Sequence, residues 1–482
     1  MKSRVILYNF IGSTINPQKD GSKPHYMQTS THQSATKMLT HRQRLFFGLL
    51  MWLIVLFVLA GAASIPFLFE SSSILYKFGF KRVLLLAGQV TGLVAGCLLL
   101  MQVVLAARLK SLDRIFGLER LFRYHRRSGF IIAALVIVHP IAIFISDDRI
   151  FIPLQWRYWP EFVGLFLTLL IVFMVVTGHW RAGLGLAFQR WWPVHRMAGM
   201  VAATAFGIHV LSVNDTFEQK LPRILAIAAL VVCGLAFLWI RTRPLRSRRR
   251  LLRVSAIEPA GADAVCLKMV AEGQRLPAYR PGQFGFISLS SAHVSNEEHP
   301  FTIASSPTQC GALEIVVRTT GDWTAQLPNL QPRDRVLFDG PYGLFGHLHI
   351  SAQTETIMIA GGIGITPMLS MLRYMAGTED QRKITLLWSN QTPDHIVLPD
   401  AFEKLAAQLK GLHIVHVITR ASEYSGERGR LDRSTLKRLL SGCSRSAAIL
   451  MCGPDEMMQD VRSHLVSLGF RRRMIFMERF SL

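Results

Sequence analysis

Paired cysteines are missing from this chain. Its six cysteines, Cys97, Cys233, Cys266, Cys310, Cys443 and Cys452, form no CxxC pair and no zinc spacing, which excludes a disulfide framework and a structural zinc site. Acidic residues are scarce as well: 31 Asp and Glu stand against 54 Lys and Arg in 482 residues, a formal charge of +23. A water-soluble nucleic-acid binder with that excess is rich in charge throughout, whereas here only 18% of residues are charged and half are hydrophobic. The apolar residues fall in long blocks in the first half. A single soluble globule is thereby excluded, and nucleic acid is not the expected partner.

A helix needs about 20 mostly apolar residues to cross the hydrocarbon of a bilayer. Six stretches qualify, roughly 45–67, 83–107, 128–146, 162–178, 196–213 and 222–240. The polar, aperiodic residues 1–40 read as a disordered tail, with Met38 as an alternative start ahead of His41-Arg42-Gln43-Arg44. Positive charge marks the inner face. It gathers between the second and third stretches (Arg108, Lys110, Arg114, Arg120, Arg123, Arg126, Arg127) and after the sixth (Arg241 through Arg253). The pattern predicts a multi-pass protein of the plasma, or inner, membrane with both termini cytoplasmic and the lipid bilayer as its first partner.

Histidine inside a span is costly and is a functional signal by default. His125 and His139 bracket the third span and His195 and His209 the fifth, both pairs 14 residues apart. Fourteen helical steps of about 100° fall about 40° short of four turns and rise roughly 21 Å, so each pair occupies one helix face, one histidine near each membrane surface. The two helices run in the same direction, so His125 can face His195 at the inner level and His139 can face His209 at the outer level. Facing imidazoles in an apolar bundle are the usual axial ligands of a haem. The expectation is two b-type haems with these four histidines as metal ligands; Arg126, Arg127 and Arg196 beside the inner pair suit haem propionates, and positive-inside anchoring explains them as well. His179 has no partner at that spacing and reads as interfacial.

After residue 250 the text changes. Short alternating stretches such as Gly282–Leu289 and Leu313–Arg318, punctuated by Arg280-Pro281-Gly282-Gln283-Phe284 and Asp339-Gly340-Pro341-Tyr342-Gly343, predict a small antiparallel β-barrel. From about 352, apolar strand, glycine-rich turn and helix recur, which predicts a parallel α/β sheet. Its first unit is Ile357–Ala360, the turn Gly361-Gly362-Ile363-Gly364-Ile365-Thr366-Pro367, and a helix through Met375. Glycines at a helix N-terminus let the backbone approach a pyrophosphate.

Five segments then occur in order: His299-Pro300-Phe301-Thr302-Ile303-Ala304-Ser305, Arg318-Thr319-Thr320-Gly321-Asp322-Trp323-Thr324, the Gly361–Pro367 turn, Met451-Cys452-Gly453-Pro454, and Glu478-Arg479-Phe480. Behind the four-histidine spans, this series resembles the ferric reductase and NADPH oxidase superfamily, membrane flavocytochromes with ferredoxin-reductase-type domains. The resemblance covers nearly everything after residue 41. It implies a six-span di-haem domain (41–243), an FAD-binding barrel (251–347) and an NAD(P)-binding α/β domain (352–482). It implies that His299, Pro300, Phe301, Thr302 and Ser305 lie along the flavin, and that Arg318, Gly321 and Thr324 hold its pyrophosphate. Gly362, Gly364, Thr366 and Pro367 match the nicotinamide-dinucleotide turn, with Gly453 and Pro454 also on the cofactor. Cys452 matches the cysteine beside the hydride-transfer point and Phe480 the near-terminal aromatic over the flavin, although two residues follow Phe480. Thr419-Arg420 occupies the place where NADPH-using relatives hold the 2′-phosphate, while Gln391 stands where the family often has Arg, so NADPH is favoured and NADH is the alternative. The resemblance implies an oxidoreductase passing electrons from cytoplasmic NADPH through FAD and two haems to an outer-face acceptor, ferric iron or oxygen. The rival reading is an electron-supply module for an extracytoplasmic redox protein.

Overall fold

The computed structural model describes residues 39–71, 73, 76–149, 151–213, 217, 219–246, 250–271, 275–309, 311–421 and 423–479. The tail 1–38 with its alternative start, and Phe480, lie outside these. The first half is helical: α1 (His41–Leu68), α2 (Gly79–Ala106), α3 (Lys110–Phe116), α4 (Leu118–Ser146), α5 (Trp159–His179), α6 (Phe188–Ser212) and α7 (Lys220–Arg246). All but the short α3 are long and apolar enough to cross a membrane. Their exposed faces carry Leu, Ile, Phe and Val, as lipid-facing surfaces do. Helix α4 begins ten residues before the apolar stretch at 128, because Leu, Glu and Arg are good helix formers and the helix runs on through its charged inner turns. It packs on α2 and α5, and Leu98, Ile132, Leu167, Ile171, Ala202 and Ala205 from four helices make the bundle core.

The second half contains two six-stranded sheets. The first comprises β1 (Arg250–Pro259), β2 (Ala264–Ala271), β3 (Phe284–Ser290), β4 (Glu298–Thr302), β5 (Leu313–Arg318) and β6 (Arg335–Tyr342), antiparallel in the order β4-β3-β6-β1-β2-β5. The expected barrel is not closed. β4 is only five residues long and carries Pro300, which has no N–H to donate to a ladder. The chain leaves that edge through Ala304, whose N–H makes a 2.8 Å bond to Glu314 O on β5.

The second sheet is parallel: β7 (Thr356–Gly361), β8 (Ile384–Asn390), β9 (Leu412–Ile418), β10 (Glu427–Arg428), β11 (Ala448–Cys452) and β12 (Ile475–Glu478), in the order β10-β9-β8-β7-β11-β12. Helices α8 (Thr366–Gly377), α9 (Pro399–Gln408), α10 (Arg433–Leu439) and α11 (Asp455–Ser467) alternate with the strands. Every residue of β7 and β11 is buried, as a parallel sheet covered on both faces requires. Strand order reverses between β7 and β11, and in open α/β sheets ligands bind in the crevice beyond the strand ends at such a switch point.

Candidate functional site

The four histidines meet as two pairs. His125 faces His195 with ring centroids 6.3 Å apart, and His139 faces His209 at 6.4 Å. Two imidazoles bonded to one metal ion have centroids about 6.2 Å apart, from metal–nitrogen bonds of about 2.0 Å and roughly 1.1 Å from nitrogen to centroid. The pairs therefore fit the two sides of a haem iron. In the outer pair each Nδ1 lies against a backbone carbonyl, His139 on Gly88 O at 2.7 Å and His209 on Pro160 O at 2.9 Å. A carbonyl can only accept, so both Nδ1 atoms carry the proton and both Nε2 lone pairs are free to ligate. One turn beyond each carbonyl sits a glycine where an added Cβ would force the histidine ring to shift. A Cβ on Gly92 would lie 2.7 Å from His139 Nδ1, and one on Gly164 would lie 2.6 Å from His209 Cε1. The inner pair is held differently: the Trp191 ring lies 4.6 Å from that of His195, and Trp191 Nε1 donates to Thr177 Oγ1 at 3.4 Å. His179 packs against Phe130 and Trp180, apart from either pair.

At the switch point a cavity of about 500 Å³ brings together Arg318, Gly362, Gly364, Thr419, Gly453 and Pro454, all six expected from sequence, along with Ser389, Asn390 and Gln391. The two turn glycines act differently. Gly362 adopts φ +54°, a left-handed conformation that favours glycine, and its carbonyl accepts Trp388 Nε1 at 3.0 Å. Gly364 permits close packing, since a Cβ there would lie 2.3 Å from Cys452 O. Thr366 and Pro367 are buried in the first turn of α8, behind the cavity wall. Thr419 is held by Asn390 O, and the exposed Arg420 follows it, its N–H on Gln391 O.

Cys452 is fully buried at the end of β11, next to Gly453. Burial pushes its thiol well above the ordinary range. Among the flavin-sheet residues, His299 and Phe301 share one face of β4 and flank Trp323, at 4.3 and 5.9 Å between centroids. Glu298, Pro300 and Thr302 alternate onto the other face. Gly321 N–H donates to Thr324 Oγ1 at 3.0 Å, closing a tight turn. The Arg318 guanidinium lies beside Gly362 and near Asp263, which brings it to the dinucleotide turn. Ser305 points inward: its hydroxyl bonds Tyr279 and accepts Glu314 N–H, and its carbonyl accepts from Ser370 on α8.

Several residues had no separate assignment from sequence. Trp323 was visible only as part of its motif, and Trp388 was not singled out. The carbonyls of Gly88 and Pro160 have no letter of their own. Glu478, at the end of β12, is pushed up to about 8 by burial and by the carboxylates of Glu119 and Asp113, which lie on the membrane half of the chain.

A six-helix membrane half, an antiparallel flavin-type sheet and a dinucleotide crevice define a membrane-linked, NAD(P)H-dependent oxidoreductase. The chain matches the ferric reductase like transmembrane component over residues 91–206, an FAD-binding domain over 249–345 and an oxidoreductase NAD-binding domain over 358–463. This series is the ferric reductase and NADPH oxidase architecture, and the chain has it. It is similar to NADH-cytochrome b5 reductase 1 of Eremothecium gossypii, 30% identical over 34% of this chain and 58% of that protein. It is also similar to a nitrate reductase [NADPH] of Emericella nidulans, 31% identical over 36% of this chain and 22% of that one. The chain thus spans less than two thirds of either. Among solved structures, the flavohem-like FAD/NAD-binding domain of a Vibrio cholerae nitric oxide dioxygenase is 20% identical, with a TM-score of 0.43 over 48% of this chain and 98% of that one.

Proposed function

We propose that the protein takes a hydride from cytoplasmic NADPH and delivers the two electrons singly to an acceptor on the outer face of a plasma or inner membrane, either ferric iron or molecular oxygen. The balance is NADPH to NADP⁺, a proton and two electrons, which reduce two ferric ions to ferrous or two oxygen molecules to superoxide. Residues 41–243 form the di-haem domain, 251–347 the FAD domain and 352–482 the NAD(P) domain, with both termini cytoplasmic. FAD and two b-type haems, the latter held by His125 with His195 and His139 with His209, would supply the conversion of a two-electron donor into single electrons.

The chain's own residues do the binding and positioning. The Gly362 turn and the N-terminus of α8 take the dinucleotide pyrophosphate, and Thr419 with Arg420 holds the 2′-phosphate, a task suited to a planar guanidinium. Cys452 and Phe480 shape the place where nicotinamide meets flavin. His299, Pro300, Phe301, Thr302 and Ser305 carry or support the flavin ring, and Arg318, Gly321 and Thr324 its phosphates.

The observation that carries this reading is the pair of histidine contacts on α4 and α6 at nearly equal separations of 6.3 and 6.4 Å. The test is haem content and turnover of the purified protein. About two low-spin haems per chain are expected, reducible by NADPH, with His139→Ala or His209→Ala removing the outer one and His125→Ala or His195→Ala the inner. NADPH oxidation is then followed under nitrogen with a ferric chelate, and in air with a superoxide reporter. A colourless protein after haem supplementation defeats the reading. Turnover only on addition of an extracytoplasmic extract replaces the small-molecule acceptor by a protein one.

A further inference from the structure

One short segment, the α2–α3 turn with α3, meets the flavin sheet, and three of its charged residues reach the same patch. Arg108, in the left-handed conformation at φ +49°, leaves α2 and sends its guanidinium 3.5 Å over the Phe286 ring, 2.8 Å from Glu298 on β4 and 3.6 Å from Asp339 on β6. Lys110 Nζ donates to Gly340 O at 2.7 Å. Asp113, buried on α3, accepts two backbone N–H groups at once. Oδ1 takes Leu118 N–H at 2.9 Å, and both oxygens lie within reach of Gly343 N–H, at 3.2 and 3.3 Å. Leu118 opens α4, the helix that carries His125 seven residues, or about two turns, later. Gly343 follows β6, and β6 pairs with β3, which pairs with β4 at Phe284–Thr302, Phe286–Pro300 and Ser288–Glu298. Around these polar contacts Leu105, Leu112, Leu118 and Leu121 pack against Phe284, Phe286 and Tyr342 in one cluster.

We infer that the α2–α3 turn is a docking clip that holds the flavin sheet beneath the inner histidine pair, and that Asp113 is its positioning residue. The inference rests on the proposed passage of electrons from the flavin to the inner pair. One carboxylate fixes both the first turn of the His125 helix and the end of β6, so the interval between flavin segment and histidine is set by hydrogen bonds rather than by a loop. Removing this acceptor leaves two backbone N–H groups in a buried place without their partner, which is costlier than losing an exposed contact. Arg108 and Lys110 lock the sheet against rotation about that point, because they grip β4 and β6 on either side of β3.

Electron transfer slows as the interval between donor and acceptor lengthens, whereas hydride transfer to the flavin does not sense that interval, so a loosened clip shows in haem reduction alone. The experiment uses the full chain in lipid nanodiscs, comparing wild type with Asp113→Ala, Asp113→Asn and Arg108→Gly by stopped-flow absorbance after mixing with NADPH. Asp113→Ala is expected to bleach the flavin at the wild-type rate and to slow haem reduction by about 3- to 10-fold, the share of correctly seated sheet lost with one buried hydrogen-bond partner. Asp113→Asn keeps an acceptor oxygen in the same place and is expected to stay within about 3-fold of wild type. Arg108→Gly relieves the left-handed backbone while removing the grip on Glu298 and Asp339, so it should slow the same step without unfolding the turn. Hydrogen exchange read by mass spectrometry in segment 335–346 should speed up in Asp113→Ala and Arg108→Gly and not in Asp113→Asn. Wild-type haem reduction with unchanged exchange in both disruptive variants overturns the clip, as does equal slowing of flavin bleaching and haem reduction without rescue by Asn. If the protein holds no haem, the earlier reading fails, and the exchange pattern alone then upholds or overturns the clip.

Discussion

Replacing Gly164 by alanine tests the histidine geometry without touching a histidine. The added Cβ would stand 2.6 Å from Cε1 and 2.9 Å from Nδ1 of His209, about 1 Å inside the ordinary contact distance of about 3.5–4.0 Å. The ring must move, yet it is tied by its Nδ1–H to Pro160 O, one helical turn before Gly164. Overpacking costs about 1–3 kcal/mol and loss of the hydrogen bond about 0.5–1.5 kcal/mol, a combined weakening of roughly tenfold to a thousandfold in the properly placed histidine pair. Gly92→Ala should act alike through His139, where the Cβ would come 2.7 Å from Nδ1. Gly61→Ala is the control, since nothing lies within 4 Å of its Cβ position. The assay is haem per chain and the reduced-minus-oxidised spectrum of purified protein, with redox titration resolving the two centres. Both variants should lose the outer centre or shift its midpoint while leaving the inner one intact. Full haem content with wild-type midpoints in Gly164→Ala and Gly92→Ala refutes the outer pair as a haem site.

Arg420→Ala should weaken NADPH by about 10- to 150-fold and NADH little, because one charged hydrogen bond costs roughly 1.5–3 kcal/mol; equal losses in KM for both dinucleotides remove Arg420 from the 2′-phosphate. Phe480→Ala should alter the rate of flavin reduction and the tightness of NADP⁺ while haem content stays at two per chain, and loss of haem contradicts its assignment. Glu478, raised to about 8, binds its proton more tightly in the folded protein than in the unfolded chain. Its ionisation therefore removes stability as pH rises from the ordinary carboxylate range to about 8, and no further above that. Thermal midpoints of wild type against Glu478→Gln should diverge across that window, with wild type falling, and parallel curves from pH 5 to 9 would show that burial does not perturb this carboxyl.

The six spans and the histidine register were legible because both are periodic: apolar blocks mark membrane length, and a separation of 14 residues returns a side chain to nearly the same helix face. The start of α4 was not. Hydropathy stops at Arg127, whereas helix formation continues back to Leu118, since charged residues end a membrane span without ending a helix. The glycine turn after β7 was readable as a phosphate-binding turn, but the difference between Gly362 and Gly364 depends on what a Cβ would meet, and for Gly364 that is Cys452 O, 88 residues away. Ser305 occupied its motif position and still turned into the core, because Tyr279, Glu314 and Ser370 supply all its partners there. Arg108 and Lys110 read in sequence as part of a positive-inside connection, and Asp113 was not singled out. Their grip on Glu298, Asp339, Gly340 and Gly343 spans about 190 to 230 residues of chain, and no local pattern encodes a contact at that distance.

The joints between the parts share one construction. Gly362 is pinned by Trp388, and α8, which follows it, is bound to the flavin sheet by Ser370 on Ser305 O and by Arg373 on Ala304 O and Glu314. Ala304 and Ser305 directly follow β4, β4 pairs with β3, and the β3–β6 sheet is fastened through Asp113 to the helix that bears His125. Each joint uses a partly or fully buried side chain bonded to backbone, which resists sliding better than apolar contact, because a displaced polar group loses its partner in a medium that offers no water. Hydride transfer needs near contact and fails under small shifts, and single-electron transfer slows as its interval lengthens. A chain that performed both, as proposed, would have reason to join its dinucleotide cavity to its membrane helices by directional bonds, and this chain keeps glycine where backbone or ring comes closest, at Gly92, Gly164 and Gly364.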